Sequence, residues 1–210
     1  PKRAEGPWAD GYAAAEHAIR GADRLISFDP TDIPMLRAFR PESAIVQMPP
    51  LADIGAAHTV TAQAEDKTIP RQAMAESLDL DPAHPWLASV AMMRPGAKLD
   101  SYNVMARALA RIADRPWSLL VAGDGPARAQ VEAAFERHLN DRERIRFLGQ
   151  LDADALVGLH RACDLAIWPG IDEGFCMALV EAQVAGLPAV AGNRPGIANV
   201  IADGETGLLT

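Results

Sequence analysis

From residue 86 to residue 209 the chain alternates between short apolar runs (86–93, 117–121, 144–148, 164–168, 188–191 and 207–209) and longer stretches of helix length. Each of the first five runs is closed by a Gly or Pro within a few residues. A strand buried on both faces reads as a continuous apolar run, whereas a strand of a one-sided sheet alternates apolar with polar. Buried strands separated by helices require a parallel sheet covered on both faces, so the expected fold class is α/β and Rossmann-like. In such a sheet ligands bind beyond the carboxyl ends of the strands. The loops to inspect therefore follow Met93, Val121, Phe147, Trp168 and Ala191.

Helices are expected over residues 72–80, 100–112, 127–138, 152–162, 175–185 and 196–201. Asp152 is placed to cap one of them, and Gly186 with Pro188 ends another. The first part of the chain reads as a helix over 13–20, a strand over 24–28, a helix starting at Thr31 and Asp32, and a strand over 44–47 stopped by Pro49 and Pro50. Residues 51–70 are polar, Ala-rich and weakly patterned, which reads as a linker. The expected organisation is one partial lobe over 1–55, a linker and lead-in helix over 56–84, and a complete lobe over 85–210.

A net charge of −8 and the lack of a basic run argue against a nucleic-acid partner, which needs a cationic face. The two cysteines, Cys163 and Cys176, are too few for a disulfide scaffold, so a reducing cytoplasm is the expected compartment. No apolar run has the length needed to span a bilayer. The chain opens without an initiator Met and closes inside an apolar run, and is read as a piece of a longer protein.

Four loops carry candidate chemistry. Arg94 and Lys98 flank a Pro-Gly turn, where an Arg fork and a Lys point charge suit a diphosphate; the alternative is two solvated surface charges. Gly123-Asp124-Gly125-Pro126 opens like a dinucleotide fingerprint, but Arg128 stands where the third Gly belongs, so a tight strand-to-helix turn is the preferred reading. Gly149, Gln150 and Leu151 offer backbone donors and acceptors at a strand end. The fourth loop, from Trp168 to Ala182, is the most informative. It opens a helix whose first amides, from Gly174 through Phe175 and Cys176 to Met177, are expected to lack intrahelical partners and so to suit an anion. Glu173 and Glu181 would lie roughly 12 Å apart along such a helix, beyond the about 5–9.5 Å that two carboxylates on one glycosidic bond require. They could instead grip two polyols on either side of a phosphate. The bland readings are a dipole-favoured acid for Glu173 and a solvated helix residue for Glu181. The apolar neighbours Leu179, Val180, Ala182 and Val184 argue that Glu181 needs a partner.

Glu173, Gly174, Glu181 and the following Ala-Gln-Val-Ala-Gly-Leu-Pro stretch resemble the Glu-x7-Glu motif of family 4 glycosyltransferases. Val121 to Pro126, Phe147 to Gly149, Cys163 to Leu165 and Asp203 to Leu208 have counterparts there in the same order. The resemblance runs over residues 86–210 and, more thinly, over 21–53. It implies the GT-B C-terminal lobe with part of an N-terminal α/β lobe, and retaining transfer of a sugar from a nucleotide-diphosphate-sugar donor to a glycan, lipid or small acceptor. It implies no cofactor and no obligatory metal. By the same resemblance Arg94 and Lys98 would stabilise the leaving diphosphate. Glu173, with the amides of Gly174 to Met177, would bind the sugar, Glu181 the ribose, and the backbone around Gly149, Gln150 and Leu151 the base. Any peripheral membrane contact would belong to the absent lobe, and this piece alone is expected to turn over poorly. Three features depart from the family: a short Arg94-to-Lys98 spacing; Cys176 where Gly is common, which would crowd the donor; and the lack of most of the N-terminal lobe, which by the resemblance would supply acceptor contacts. His17, His58, His84, His138 and His160 are each read as surface or cap residues. The alternatives are an epimerase or hydrolase of the same fold, a non-catalytic nucleotide-binding lobe and, more remotely, a NAD-dependent oxidoreductase.

Overall fold

Trp86–Val90 (β3) and Ser118–Ala122 (β4) lie side by side in the interior of an all-parallel, six-stranded sheet, and β4 is buried along its whole length. The computed structural model describes residues 6, 9–48, 68–139 and 143–210. The chain forms two units, Pro1–Leu51 and Ala52–Thr210. In the first, helix Ala9–Gly21 (α1) precedes strands Leu25–Ser27 (β1) and Ile45–Gln47 (β2), which pair in parallel with Leu25 opposite Ile45. The Asp29 carboxylate accepts from the Thr31 amide at 2.9 Å and opens a single 3-10 turn that leads into helix Ile33–Arg37 (α2). Asp32 stands at the N-cap position of α2, close to the expected helix start, while the side-chain cap is made one turn earlier by Asp29. Most of the expected linker, residues 49–67, and His58 lie outside the described residues.

The second unit runs from helix Thr68–Leu78 (α3) to the last strand. After β3 come helix Ala97–Ala110 (α4), β4, helix Arg128–His138 (α5), strand Ile145–Gly149 (β5), helix Ala153–Ala162 (α6) and strand Leu165–Trp168 (β6). Helix Met177–Val184 (α7), strand Ala189–Ala191 (β7), the short helix Pro195–Ala198 (α8) and strand Gly207–Leu209 (β8) complete it. The strand order is β5-β4-β3-β6-β7-β8, which is the expected parallel α/β architecture. Asp152 caps α6 as expected, accepting from the Ala155 amide at 2.9 Å. Growth from β3 through β4 to β5 runs one way and from β6 through β7 to β8 the other. Right-handed crossovers therefore put α4 and α5 on one face and α6, α7 and α8 on the other.

Three boundaries differ from the apolar pattern, and each bears on the site. Strand β3 stops at Val90, because its exit segment is laced instead to the turn after β4. The Ala91 amide donates to Ala122 O at 3.1 Å and the Met93 amide to Asp124 O at 2.9 Å. This close approach needs the two glycines of Gly123-Asp124-Gly125. Both have positive φ (128° and 152°), and a Cβ on them would stand 2.0 Å from Ala91 O and 2.4 Å from Met93 O. The Gly-x-Gly is thus a backbone-packing turn. Helix α4 begins at Ala97, which moves Lys98 from the loop into the first helical turn. Helix α7 begins at Met177, so Glu173 is a loop residue and the helix-axis spacing of the two glutamates does not apply.

His160 corrects the reading of the histidines. It is 2% exposed, on the face of α6 that also buries Leu159. Burial pushes its imidazole down to about 4, so it is neutral at pH 7. In the unfolded chain it would titrate near its ordinary value of about 6.5. The unfolded state then binds the extra proton between those two values, and folding stability falls as the pH drops through that window. We expect an acid-side loss on the order of 3 kcal/mol from this group between pH 7 and 4. Urea unfolding of the protein and of His160→Leu at both pH values measures it: the variant should lack that part of the loss, and equal losses in the two would refute the assignment.

Candidate active site

The sheet changes its direction of growth between β3 and β6, and the exit loops of these two strands border a cleft of about 420 Å³. Ligands bind at such reversal points in open α/β sheets. From the β3 side Met92, Arg94 and Lys98 line it; from the β6 side, Glu173, Phe175, Cys176, Met177 and Ala178; and Gln150 with Leu151 close the end beyond β5. Gly123, after β4, lines it as well, so residues from four expected loops converge on one cavity.

The loop between β6 and α7 is pinned from below. Ser101 on α4 is fully buried, donates to Ala97 O at 2.8 Å and accepts from the Ile171 amide at 2.9 Å. Gly196 lets α8 pass under the loop, since a Cβ there would stand 2.0 Å from Gly174 O. Asp172 takes a left-handed conformation, φ 54°, which Asp tolerates better than most residues. It turns the chain immediately before Glu173.

Glu173 is held by two donors on a single oxygen. Lys98 Nζ lies 2.6 Å from Oε2 and Trp168 Nε1 donates to the same atom at 3.0 Å. The side chains of Lys98 and Glu173 are 21% and 14% exposed, so this is a largely desolvated ion pair facing the cleft. Arg94 is exposed, and its guanidinium forms no ion pair or hydrogen bond among the described residues.

The amides differ in detail from the expectation. Those of Gly174, Phe175 and Cys176 find no acceptor among the described residues, but Met177 N donates to Phe175 O at 3.2 Å. Ala178 N, which the sequence reading passed over, is open in its place. Gly149 lies beneath the cleft rather than in its lining, with its carbonyl accepting from the Gly123 amide at 2.7 Å. Glu181 is exposed, not enclosed as its apolar neighbours suggested, and it is outside the cleft lining. Partial desolvation nevertheless raises its carboxyl above the ordinary range. It lies four residues after Met177, on the same helix face, about 6 Å further along the axis.

Cys176 is 4% exposed, and its φ of −87° is one that any residue adopts, so the fold does not require Gly there. The expected crowding of the cleft by this side chain is therefore small. Among the described residues no group of three or more His, Cys, Asp or Glu is placed to hold a metal ion, and no helix is long and apolar enough to cross a membrane. Trp168, Ser101 and Ala178 are the site residues that the sequence reading missed. Trp168 was visible as an aromatic residue at a strand's carboxyl end, but its partner was not.

An open parallel sheet whose reversal point gathers two cations, a held carboxylate and unpaired amides defines the class: a Rossmann-like α/β protein with a polar cleft at the switch of strand order. The particular family follows from comparison: residues 84–210 match the family model described as glycosyl transferases group 1, and the chain belongs to that family. It is 32% identical over 147 residues to a D-inositol 3-phosphate glycosyltransferase of Rhodococcus erythropolis, covering 66% of this chain and 33% of that protein. It is 35% identical over 144 residues to the enzyme of the same name from Mycobacterium sp. strain KMS, covering 66% and 31%. The chain thus spans about a third of the length of the curated relatives it matches. Among solved structures it superposes on HepE of Anabaena in complex with UDP and glucose, with a TM-score of 0.75 at 20% identity over 98% of this chain and 54% of that one. It also superposes on sucrose-phosphate synthase of Thermosynechococcus elongatus, with a TM-score of 0.76 at 20% identity over 96% and 48%.

The ion pair makes a prediction independent of any ligand. Removing one partner of a largely desolvated pair strands the other. In a double-mutant cycle of Lys98→Met and Glu173→Gln, read by urea unfolding, we expect a coupling on the order of 1–2 kcal/mol. Additive effects would show that the two side chains do not meet in solution.

Proposed function

We propose that the intact protein is a retaining, family 4 glycosyltransferase with a Glu-x7-Glu motif, and that this chain supplies its nucleotide-sugar donor site. The observation that carries the reading is the meeting, in one cleft, of Arg94, the Lys98–Glu173 pair and Phe175, Cys176 and Ala178, whose amides are open. Breaking the bond between a sugar and a diphosphate sends the electron pair to the phosphate oxygen and leaves positive charge on the sugar. Fixed cations and helix-mouth amides aimed at the leaving group lower that barrier. Arg94 and Lys98 take the diphosphate, and their two charges serve in place of a metal. Glu173 takes sugar hydroxyls through its free oxygen. Glu181, one helical turn beyond the cleft lining, takes the ribose, and the backbone of Gln150 and Leu151 meets the base.

The acceptor is a glycan, a lipid or a small polyol; the names of the relatives favour a phosphorylated polyol. Cys163 and Cys176 are buried and form no disulfide, which suits a reducing compartment, for which we propose the cytoplasm.

Calorimetric titration of the intact protein with UDP, GDP, ADP and their sugars tests the reading. One diphosphate should bind, and Arg94→Ala and Lys98→Ala should each weaken it about tenfold or more, as expected for a lost charge-assisted hydrogen bond. Glu173→Gln should spare the free diphosphate and weaken the nucleotide sugar. Glu181→Ala should weaken the nucleoside diphosphate but not inorganic pyrophosphate. A folded protein that binds none of these ligands overturns the donor-site reading.

A further inference from the structure

The Glu173 carboxylate is shared by two donors of opposite character. Lys98 sits on a flexible stem whose ammonium the proposed diphosphate would draw away. Trp168 cannot follow. Its side chain is 3% exposed, and its ring meets Tyr102 edge-on with centroids 5.2 Å apart and planes at 78°. Tyr102 is itself fully buried and donates from its hydroxyl to Ala91 O at 2.8 Å, on the backbone that borders the cleft. The Trp168 ring also underlies Lys98, whose Nζ stands 5.1 Å from the ring centroid. A buried indole N–H needs an acceptor, and the acceptor here is Glu173 Oε2 at 3.0 Å. The other carboxylate oxygen, Oε1, accepts no hydrogen bond among the described residues.

We propose that Trp168 is a positioning residue for Glu173: its indole N–H keeps Oε2 in place when Lys98 turns to the diphosphate, so that Oε1 stays aimed at the sugar. The proposal rests on the donor-site reading above. It divides the work between the two donors. Lys98 is the exchangeable partner, which a ligand takes over, and Trp168 is the permanent one. In the Glu173-paired position the ammonium also gains from the face of the Trp168 ring beneath it.

The test uses the intact, 15N-labelled protein and follows the indole N–H resonances, of which the chain's four tryptophans give one each. Trp168→Phe assigns the resonance, and Glu173→Gln defines its position without the carboxylate. Saturation of the wild type with whichever of UDP, GDP or ADP binds should leave the Trp168 resonance at its carboxylate-bonded position. A move to the Glu173→Gln position shows that the carboxylate leaves with Lys98, and overturns the proposal while the donor site stands. In Trp168→Phe, which keeps a buried ring, affinity for the nucleotide sugar should fall about tenfold while the free diphosphate binds within about twofold of wild type. Equal losses of both ligands would mean a merely structural role and would also overturn it. If the wild type binds no nucleoside diphosphate, the donor-site reading fails and takes this proposal with it, an outcome seen before any variant is made.

Discussion

Strands β3 and β6 are neighbours, but the crossovers that leave them run to opposite faces of the sheet, so their exit loops part and leave a gap that neither following helix fills. The rest of the site depends on keeping that gap open and its walls fixed. On the β3 side the wall is backbone against backbone, with Gly123 and Gly125 pressed to the carbonyls of Ala91 and Met93 at distances that no side chain would tolerate. On the β6 side the loop is tied down by Ser101 and underlain by Gly196. The Ser101 anchor belongs to α4, which also carries, three residues earlier, Lys98. One helix thus fixes the far wall and delivers a cation to the cleft.

The charges are arranged in a resting state. A carboxylate that is 14% exposed would be costly to hold alone. Lys98 and the indole N–H of Trp168 offset that cost, and the pair needs no ligand to be stable. On the donor-site reading proposed above, an incoming dianion would compete for Lys98 with a single carboxylate oxygen and would meet Arg94, which has no partner to displace among the described residues. Recognition on that reading would exchange one ionic partner of Lys98 for another. Such an exchange suits a group that has to bind and be released in each cycle.

The parallel α/β class was legible because buried strands leave continuous apolar runs, and because Gly186 with Pro188 and the Asp152 cap punctuate the helices by local chemistry. Arg94, Glu173, Gln150 and Leu151 were legible as cleft residues because in this fold a residue just past a strand's carboxyl end faces the binding edge. What failed to show were contacts across the sheet. Nothing local says that Ser101 will hold Ile171, or that Trp168 will meet Glu173, since both depend on the exact approach of distant elements. Helix starts were misplaced by a few residues at α4 and α7, and each shift changed a role. Lys98 became a helix residue, Met177 spent its amide on Phe175 O, and Ala178 gained an open one. Glu181 and His160 show the limit of reading burial from neighbours in sequence. Both sit among apolar residues, yet one faces solvent and the other the core, because the face a helix presents is decided by what packs on it.

Cys176 shows how the site keeps its charge balance. A cysteine at a helix N-terminus beside a lysine is ordinarily acidified and becomes a nucleophilic thiolate. Here burial is the largest influence and the neighbouring Glu173 carboxylate the next; together they outweigh Lys98 and push the thiol up to about 11. At neutral pH the side chain is therefore uncharged and adds no repulsion toward an anion in the cleft. Its amide stays open to the same cleft. The backbone provides what a glycine there would have provided, while the buried side chain joins the core cluster that also holds Ala166, Trp168 and Leu179.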